Sequence, residues 1–174
     1  MPVFKNEMKT MKTHILISGA GPVGLVSALK LSLAGFKVTV FESAPELNMD
    51  LRASTFHPPT LDMMASFGLT DDLISQGLIA RYTQQRDRQE GVVAEFDMEL
   101  LKGETQFPFR LQCEQWKLTQ LIKKQLDKNP DVQILFNAKL ESVSQDGTQV
   151  QAKVKVSDEV QVFSGANLIG ADGA

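Results

Sequence analysis

Gly19-Ala20-Gly21-Pro22-Val23-Gly24 sets three glycines at the spacing G-x-G-x-x-G. Residues of this kind can bind a pyrophosphate. The first glycine permits a tight turn. The second lets backbone N–H groups approach phosphate oxygens with no side chain in the way. The third lets a helix pack closely on a strand. Pro22 and Val23 open that helix, so its unpaired N–H groups and positive dipole end would face the anion. Glu42 is the next group able to do chemistry. A carboxylate at the end of the following strand can accept hydrogen bonds from both ribose hydroxyls of an adenosine, and it repels a 2′-phosphate. The dinucleotide held tightly would then be FAD or NAD rather than NADP.

These groups work only if the chain folds to present them. Residues 14–18 form an apolar run ending at Gly19, which reads as a buried parallel strand. Residues 22–34 read as a helix packed on more than one side, with Gly35 where a C-terminal glycine belongs. Residues 37–42 are a second β-branched run. Strand, glycine turn, helix and strand make a βαβ unit with a right-handed crossover.

Residues 43–57 read as a loop. Pro58-Pro59 opens a helix through Phe67, stopped by Gly68, and Thr70 is expected to cap a short helix to Ser75. Two strands are expected around Gln89-Glu90-Gly91, then a loop at 100–108 and a helix at 114–128 ended by Asn129-Pro130. Residues 132–136 read as a strand. Residues 139–146 and 148–156 flank Asp146-Gly147, a hairpin signal. A strand at 159–163 would finish an antiparallel meander, and 167–170 is a last short strand. The fold class is α/β: a Rossmann-like βαβ domain with a parallel sheet and an antiparallel β-meander.

Composition narrows the function. Of 174 residues, 43% are hydrophobic and 22% charged, with net charge -3, which suits one domain with a real core and gives no nucleic-acid footprint. Cys113 is the only cysteine, so no intramolecular disulfide forms, as in a reducing compartment. Residues 1–12 are polar and read as a flexible leader rather than a secretory signal, with Met11 a second candidate start. The most apolar stretch, 23–34, is too short to span a bilayer. A cytoplasmic location follows as the expectation. His14, His57 and Cys113 are too few for a metal centre. No G-x-S-x-G elbow occurs. A chain with these absences suits chemistry done by a bound cofactor.

Three segments resemble one family, the flavin-dependent aromatic hydroxylases of the p-hydroxybenzoate hydroxylase type. The first is Asp50-Leu51-Arg52-Ala53-Ser54-Thr55-Phe56-His57, followed by Pro59-Thr60-Leu61 and, later, Gly68-Leu69. The resemblance implies that Arg52 lies beside the pyrophosphate and the flavin end of FAD, and a guanidinium can bridge two phosphate oxygens. The second is Arg110-Leu111-Gln112 and the helix after it. Here the resemblance implies a contact from Gln112 to the ribityl or phosphate region. Trp116 stands where the family usually has a glutamate. The third is the closing Asp172-Gly173, whose aspartate would orient residues at the pyrophosphate.

The resemblance covers residues 13–174 and implies an N-terminal FAD-binding domain, discontinuous and incomplete at its C-terminus. A later Gly-Asp motif and a substrate domain are not within the sequence. The implied parent reaction is oxidation of a small aromatic substrate by dioxygen through a flavin C4a-hydroperoxide. FAD is held tightly and NAD(P)H serves as a transient reductant. Gly19, Gly21, Pro22, Val23, Gly24, Glu42, Arg52, Gln112 and Asp172 are the cofactor-binding set, and no catalytic acid or base is named. His57 reads as a helix-start residue near the cofactor. Residues 79–110, with Phe96, Phe107 and Phe109, could form one wall of the substrate pocket. The chain alone is expected to hold FAD weakly or not at all and to be inactive. Its last strand, left as a sheet edge, invites self-association into a homo-oligomer. Alternatives are another FAD-dependent oxidoreductase of the same fold (an epoxidase, a dehalogenase or a reductase) or an inert binding fragment. A plain NAD-dependent dehydrogenase would need another βαβ unit soon after Glu42, where a loop, helices and a meander stand instead.

Overall fold

The structure is a computed structural model, and it describes residues 12–173. The expected leader lies outside the described residues except for Lys12, whose ammonium pairs with Asp131. β1 (His14–Ser18), α1 (Pro22–Leu33) and β2 (Lys37–Phe41) form the first βαβ unit. β3 (Thr55–Phe56), α2 (Pro58–Ala65) and α3 (Thr70–Ile74) follow. β4 (Leu78–Ala80), β5 (Tyr82–Asp87) and β6 (Gly91–Asp97) lead through a 3₁₀ turn, Met98–Leu101, to β7 (Arg110–Gln112). Then come α4 (Gln115–Leu126), β8 (Val132–Leu135), β9 (Ala138–Gln145), β10 (Val150–Val156), β11 (Glu159–Gly165) and β12 (Asn167–Gly170).

A parallel sheet in the order β12-β1-β2-β8 lies at the centre. Strand alternation sorts its side chains into two cores. Ile15, Ile17, Val38 and Val40 pack with Leu25, Ala28 and Leu29 of α1 and with Leu118 and Ile122 of α4. Leu16 and Phe41 point the other way and pack with Ala152 and Val154 of β10. The ring of Phe41 meets that of Phe163 at 4.9 Å. The meander β9-β10-β11 therefore covers the back of the parallel sheet, giving layers of helix, sheet and sheet. Each fully buried aliphatic side chain contributes roughly 1.5–3 kcal/mol to holding those layers.

The expected elements all form, with differences that have local causes. The segment read as a loop at 43–57 contains β3, which pairs with β7, and β7 pairs in turn with β4. Two-residue strands carry no periodic signal, so only the pairing reveals them. The helix expected through Phe67 ends at Ala65, and Gly68 takes φ +71 to turn the chain. Thr70 does not cap α3. Leu69 holds the cap position, and the buried Thr70 hydroxyl donates instead to the Leu61 carbonyl at 2.7 Å, tying α3 to α2. The 100–108 loop starts inside the 3₁₀ turn. The meander's third strand runs on to Gly165. β12 pairs with β1 on one side and is an edge of the sheet.

His14, half-buried between β1 and the meander, shares a 2.9 Å hydrogen bond with Thr39 Oγ1. Burial, and then the Lys37 charge, hold its imidazole below the ordinary value, against an opposing backbone hydrogen bond at Ser164. A base with a depressed folded-state pKa takes up its proton more readily when unfolded, so it destabilises the fold as pH drops through and below about 6.5. Urea midpoints should fall between pH 7.5 and 5.5, and His14→Asn should flatten that fall. A midpoint difference that His14→Asn leaves unchanged would place the pH dependence elsewhere.

Candidate cofactor site

At the C-terminal edge of the parallel strands lies an open groove of about 640 Å³. That edge is where open α/β sheets take ligands. The glycine loop, residues 18–23, forms its floor. One wall is built from residues 41–44 with Asn48, Asp50 and Arg52. Ala138, Lys139 and Leu140 of β9 add to it. Gln115, Trp116 and Thr119 of α4 and residues 171–173 complete the lining.

The glycines divide their work. Gly19 has φ +99, and a Cβ there would sit 2.4 Å from the Ala171 carbonyl oxygen. A Cβ on Gly24 would sit 1.9 Å from the Gly19 carbonyl oxygen. Those two let loop, helix and strand β12 close on one another. Gly21 differs: a Cβ on it would meet nothing within 4 Å. Its empty side is groove, so the space it leaves is available to a ligand and to no protein atom.

Hydrogen bonds fix the loop's shape. Gly19 N–H donates to the Phe41 carbonyl at 2.7 Å, and Ala171 N–H to the Ser18 carbonyl at 2.7 Å. The Glu42 carboxylate reaches back to the loop. Its Oε2 accepts from Ala20 N–H at 2.8 Å and its Oε1 from Ala44 N–H at 2.9 Å. The Ser43 hydroxyl also donates to Oε1, at 3.4 Å, and the lone pairs left on the carboxylate can take ribose hydroxyls. Asp172 Oδ2 accepts from the Ser18 hydroxyl at 3.1 Å, which sets the carboxylate beside the loop's first turn.

The α1 start and the Arg52 guanidinium set positive groups in a groove that also carries the Glu42, Asp50 and Asp172 carboxylates. α1 begins at Gly21 and α4 at Glu114, and neither helix has a side-chain cap bond or an acidic residue in its first turn. The α1 start therefore offers unpaired N–H groups and a positive dipole end to the groove, whereas at the α4 start Gln115 N–H donates to the Ala53 carbonyl and Lys117 N–H to the Glu114 carbonyl. The Arg52 guanidinium is exposed, with Asp50 4.0 Å away. A contact that long across solvent leaves the cation available for phosphate.

The structure thus brings Gly19, Gly21, Pro22, Val23, Glu42, Arg52 and Asp172 to one groove. Gly24 stands behind the loop as packing. Gln112 lies outside the lining: Leu111 takes the core side of β7, so alternation turns Gln112 to the exposed face. His57 is exposed at the start of α2 and also lies outside the lining. Phe107 and Phe109 meet each other edge-to-face and pack against the helix-side core, while Phe96 is exposed on β6. Sequence reasoning missed Gln115, Trp116, Thr119 and Lys139. The signals for Gln115, Trp116 and Thr119 were their places in the first turns of a helix ahead of a parallel strand, where side chains reach the same edge as the glycine loop.

Two buried or paired groups near α4 are structural. Burial pushes the Cys113 thiol up, so it is a poor nucleophile. Lys117 pairs with Glu114 at 2.6 Å and holds that carboxyl below its usual range. Among the described residues no cluster of three His, Cys, Asp or Glu could hold a metal, and no helix is long and apolar enough to cross a membrane.

Comparison with known proteins agrees with this geometry. Residues 12–174 match the FAD binding domain family. Para-nitrophenol 4-monooxygenase of Pseudomonas sp. strain WBC-3 is 31% identical over 160 residues, 92% of this chain and 40% of that protein. The 6-hydroxy-3-succinoylpyridine 3-monooxygenase of Pseudomonas putida is 29% identical over 165 residues, 95% of this chain and 42% of that protein. The crystal structure of p-nitrophenol 4-monooxygenase from Pseudomonas putida DLL-E4 superposes with TM-score 0.88 at 30% identity, covering 94% of this chain and 41% of that one. The chain spans about two fifths of the length of these relatives. With the glycine loop, the locked Glu42 and this match over nearly all of its length, the chain belongs to the FAD binding domain family.

Proposed function

We propose that the chain is the FAD-binding portion of an NAD(P)H-dependent monooxygenase that hydroxylates a phenolic or other aromatic ring. The observation that carries this is the groove itself. Gly21 leaves empty space at an uncapped helix start, and Glu42 is locked beside it by Ala20 and Ala44. The α1 N–H groups would bind the pyrophosphate. Glu42 would accept the adenosine ribose hydroxyls. Arg52 would bridge phosphate oxygens and reach toward the flavin end. Asp172 would steady the loop through Ser18. Held by these residues, FAD would supply acceptance of hydride from NAD(P)H and activation of dioxygen, one oxygen atom going to the ring and the other to water.

Two relatives are named for acting on a nitrophenol and a hydroxypyridine, which supports a small hydroxylated ring as the substrate class. Residues 13–174 would be the N-terminal part of a discontinuous domain. The ring pocket and a further FAD contact would come from outside it. In that arrangement the 174 residues alone hold FAD weakly and do not hydroxylate, and the open β12 edge favours self-association, which light scattering at rising concentration would reveal.

Two measurements test the reading. Gly21→Val puts its Cβ into groove space where no protein atom lies within 4 Å, so its melting temperature should stay close to that of the parent chain while calorimetric FAD binding is lost. FAD binding undiminished by Gly21→Val would remove the groove as the site. The intact enzyme, given phenols and labelled dioxygen, should place one labelled oxygen on the ring. Epoxide, dehalogenated or reduced products would instead favour another reaction on this fold.

A further inference from the structure

We propose that Trp116 packs its indole directly against the adenosine half of the dinucleotide. The inference rests on the groove being a dinucleotide site and adds a residue to it. Trp116 is in the first turn of α4, half-buried, and lines the groove beside Gln115 and Thr119. Position on the fold selects the adenosine half. α4 packs on α1 and leads into β8, which pairs with β2, the strand that runs directly into Glu42. The start of α4 therefore faces the Glu42 side of the groove.

The backbone that carries Trp116 is fixed. Gln115 N–H donates to the Ala53 carbonyl at 2.9 Å, anchoring the helix start to the Arg52 segment. The Thr119 hydroxyl donates to the Trp116 carbonyl at 2.7 Å. Lys117 Nζ stands 5.8 Å from the ring centroid and is fixed by Glu114 and by the Gln76 carbonyl. An indole has only two side-chain torsions, so on a fixed helix start it loses little entropy on meeting a base or a ribose face. An aromatic contact with a base is worth roughly 5- to 150-fold in affinity by alanine substitution.

Trp116 is the only tryptophan, so its emission reports this position alone. ADP, FMN and FAD would be titrated into the chain by calorimetry and by tryptophan fluorescence in parallel. ADP carries no flavin and cannot quench by energy transfer. The expected result is a saturable emission change with ADP and none with FMN. Trp116→Ala should weaken ADP about tenfold and Trp116→Phe much less, with circular dichroism confirming that both variants fold. If ADP binds by calorimetry with no emission change and equal affinity for the parent chain and Trp116→Ala, the Trp116 contact is overturned while the dinucleotide site stands. If FMN alone changes the emission, the adenosine assignment is overturned. If no nucleotide binds the parent chain, both the site and the contact fail.

Discussion

Gly24→Ala should both destabilise the fold and abolish FAD binding. The new Cβ would lie 1.9 Å from the Gly19 carbonyl oxygen, so something must move. Neither side can yield cheaply. Gly19 is tied by its N–H to Phe41 and abuts the Ala171 backbone. Gly24 is buried between α1 and the strands, with Leu25 and Ala28 beside it in the core. Relief requires α1 to lift from the sheet, which opens the helix-side core and displaces the N–H groups that would meet the pyrophosphate. Overpacking of this kind costs about 3 kcal/mol, read as a lowered urea midpoint. Gly21→Val is the control: it should lose binding without losing stability. Equal stability of Gly24→Ala and the parent chain would mean that α1 does not seat on the loop as described.

Glu42→Ala is expected to lower dinucleotide affinity by about 2–3 kcal/mol, roughly 30- to 150-fold, since hydrogen bonds to a charged acceptor contribute about 1.5–3 kcal/mol each. It should also cost about 1–3 kcal/mol of stability, because Ala20 and Ala44 N–H lose the carboxylate that satisfies them. The two losses can be separated. Glu42→Gln keeps one carbonyl acceptor and should recover part of the stability while remaining impaired in affinity. The measurements are calorimetric titration with ADP and FAD, and chemical denaturation. An affinity unchanged by Glu42→Ala would show that the ribose is not held there.

Much of this architecture was legible in the residues. The β-branched runs at 14–18 and 37–42 could only be buried parallel strands once a glycine turn and an apolar helix lay between them. Gly35, Gly68 and Gly147 take the positive φ values that their turn positions demanded. The layering was less legible. Nothing in β10, whose Ala152 and Val154 alternate with polar residues, says that its apolar face will cover the back of the parallel sheet rather than pack on a helix. The β3–β7 pairing was hidden because two residues give no period. Thr70 looked like a cap from its type alone, yet the Leu61 carbonyl took its hydroxyl. In the site, Gly19, Gly21 and Glu42 were readable because spacing fixes their geometry. Trp116 was not, since its position depends on α4 starting at the same sheet edge as α1, and that is a property of topology.

The central claim is that one groove, floored by residues 18–23, takes a dinucleotide with its adenosine on Glu42. A crystal structure of the chain grown with saturating FAD tests it most directly. The pyrophosphate should lie within hydrogen-bond distance of the Gly21–Gly24 backbone amides, with the ribose hydroxyls on the Glu42 carboxylate. FAD bound elsewhere, or a ribose turned away from Glu42, would contradict it.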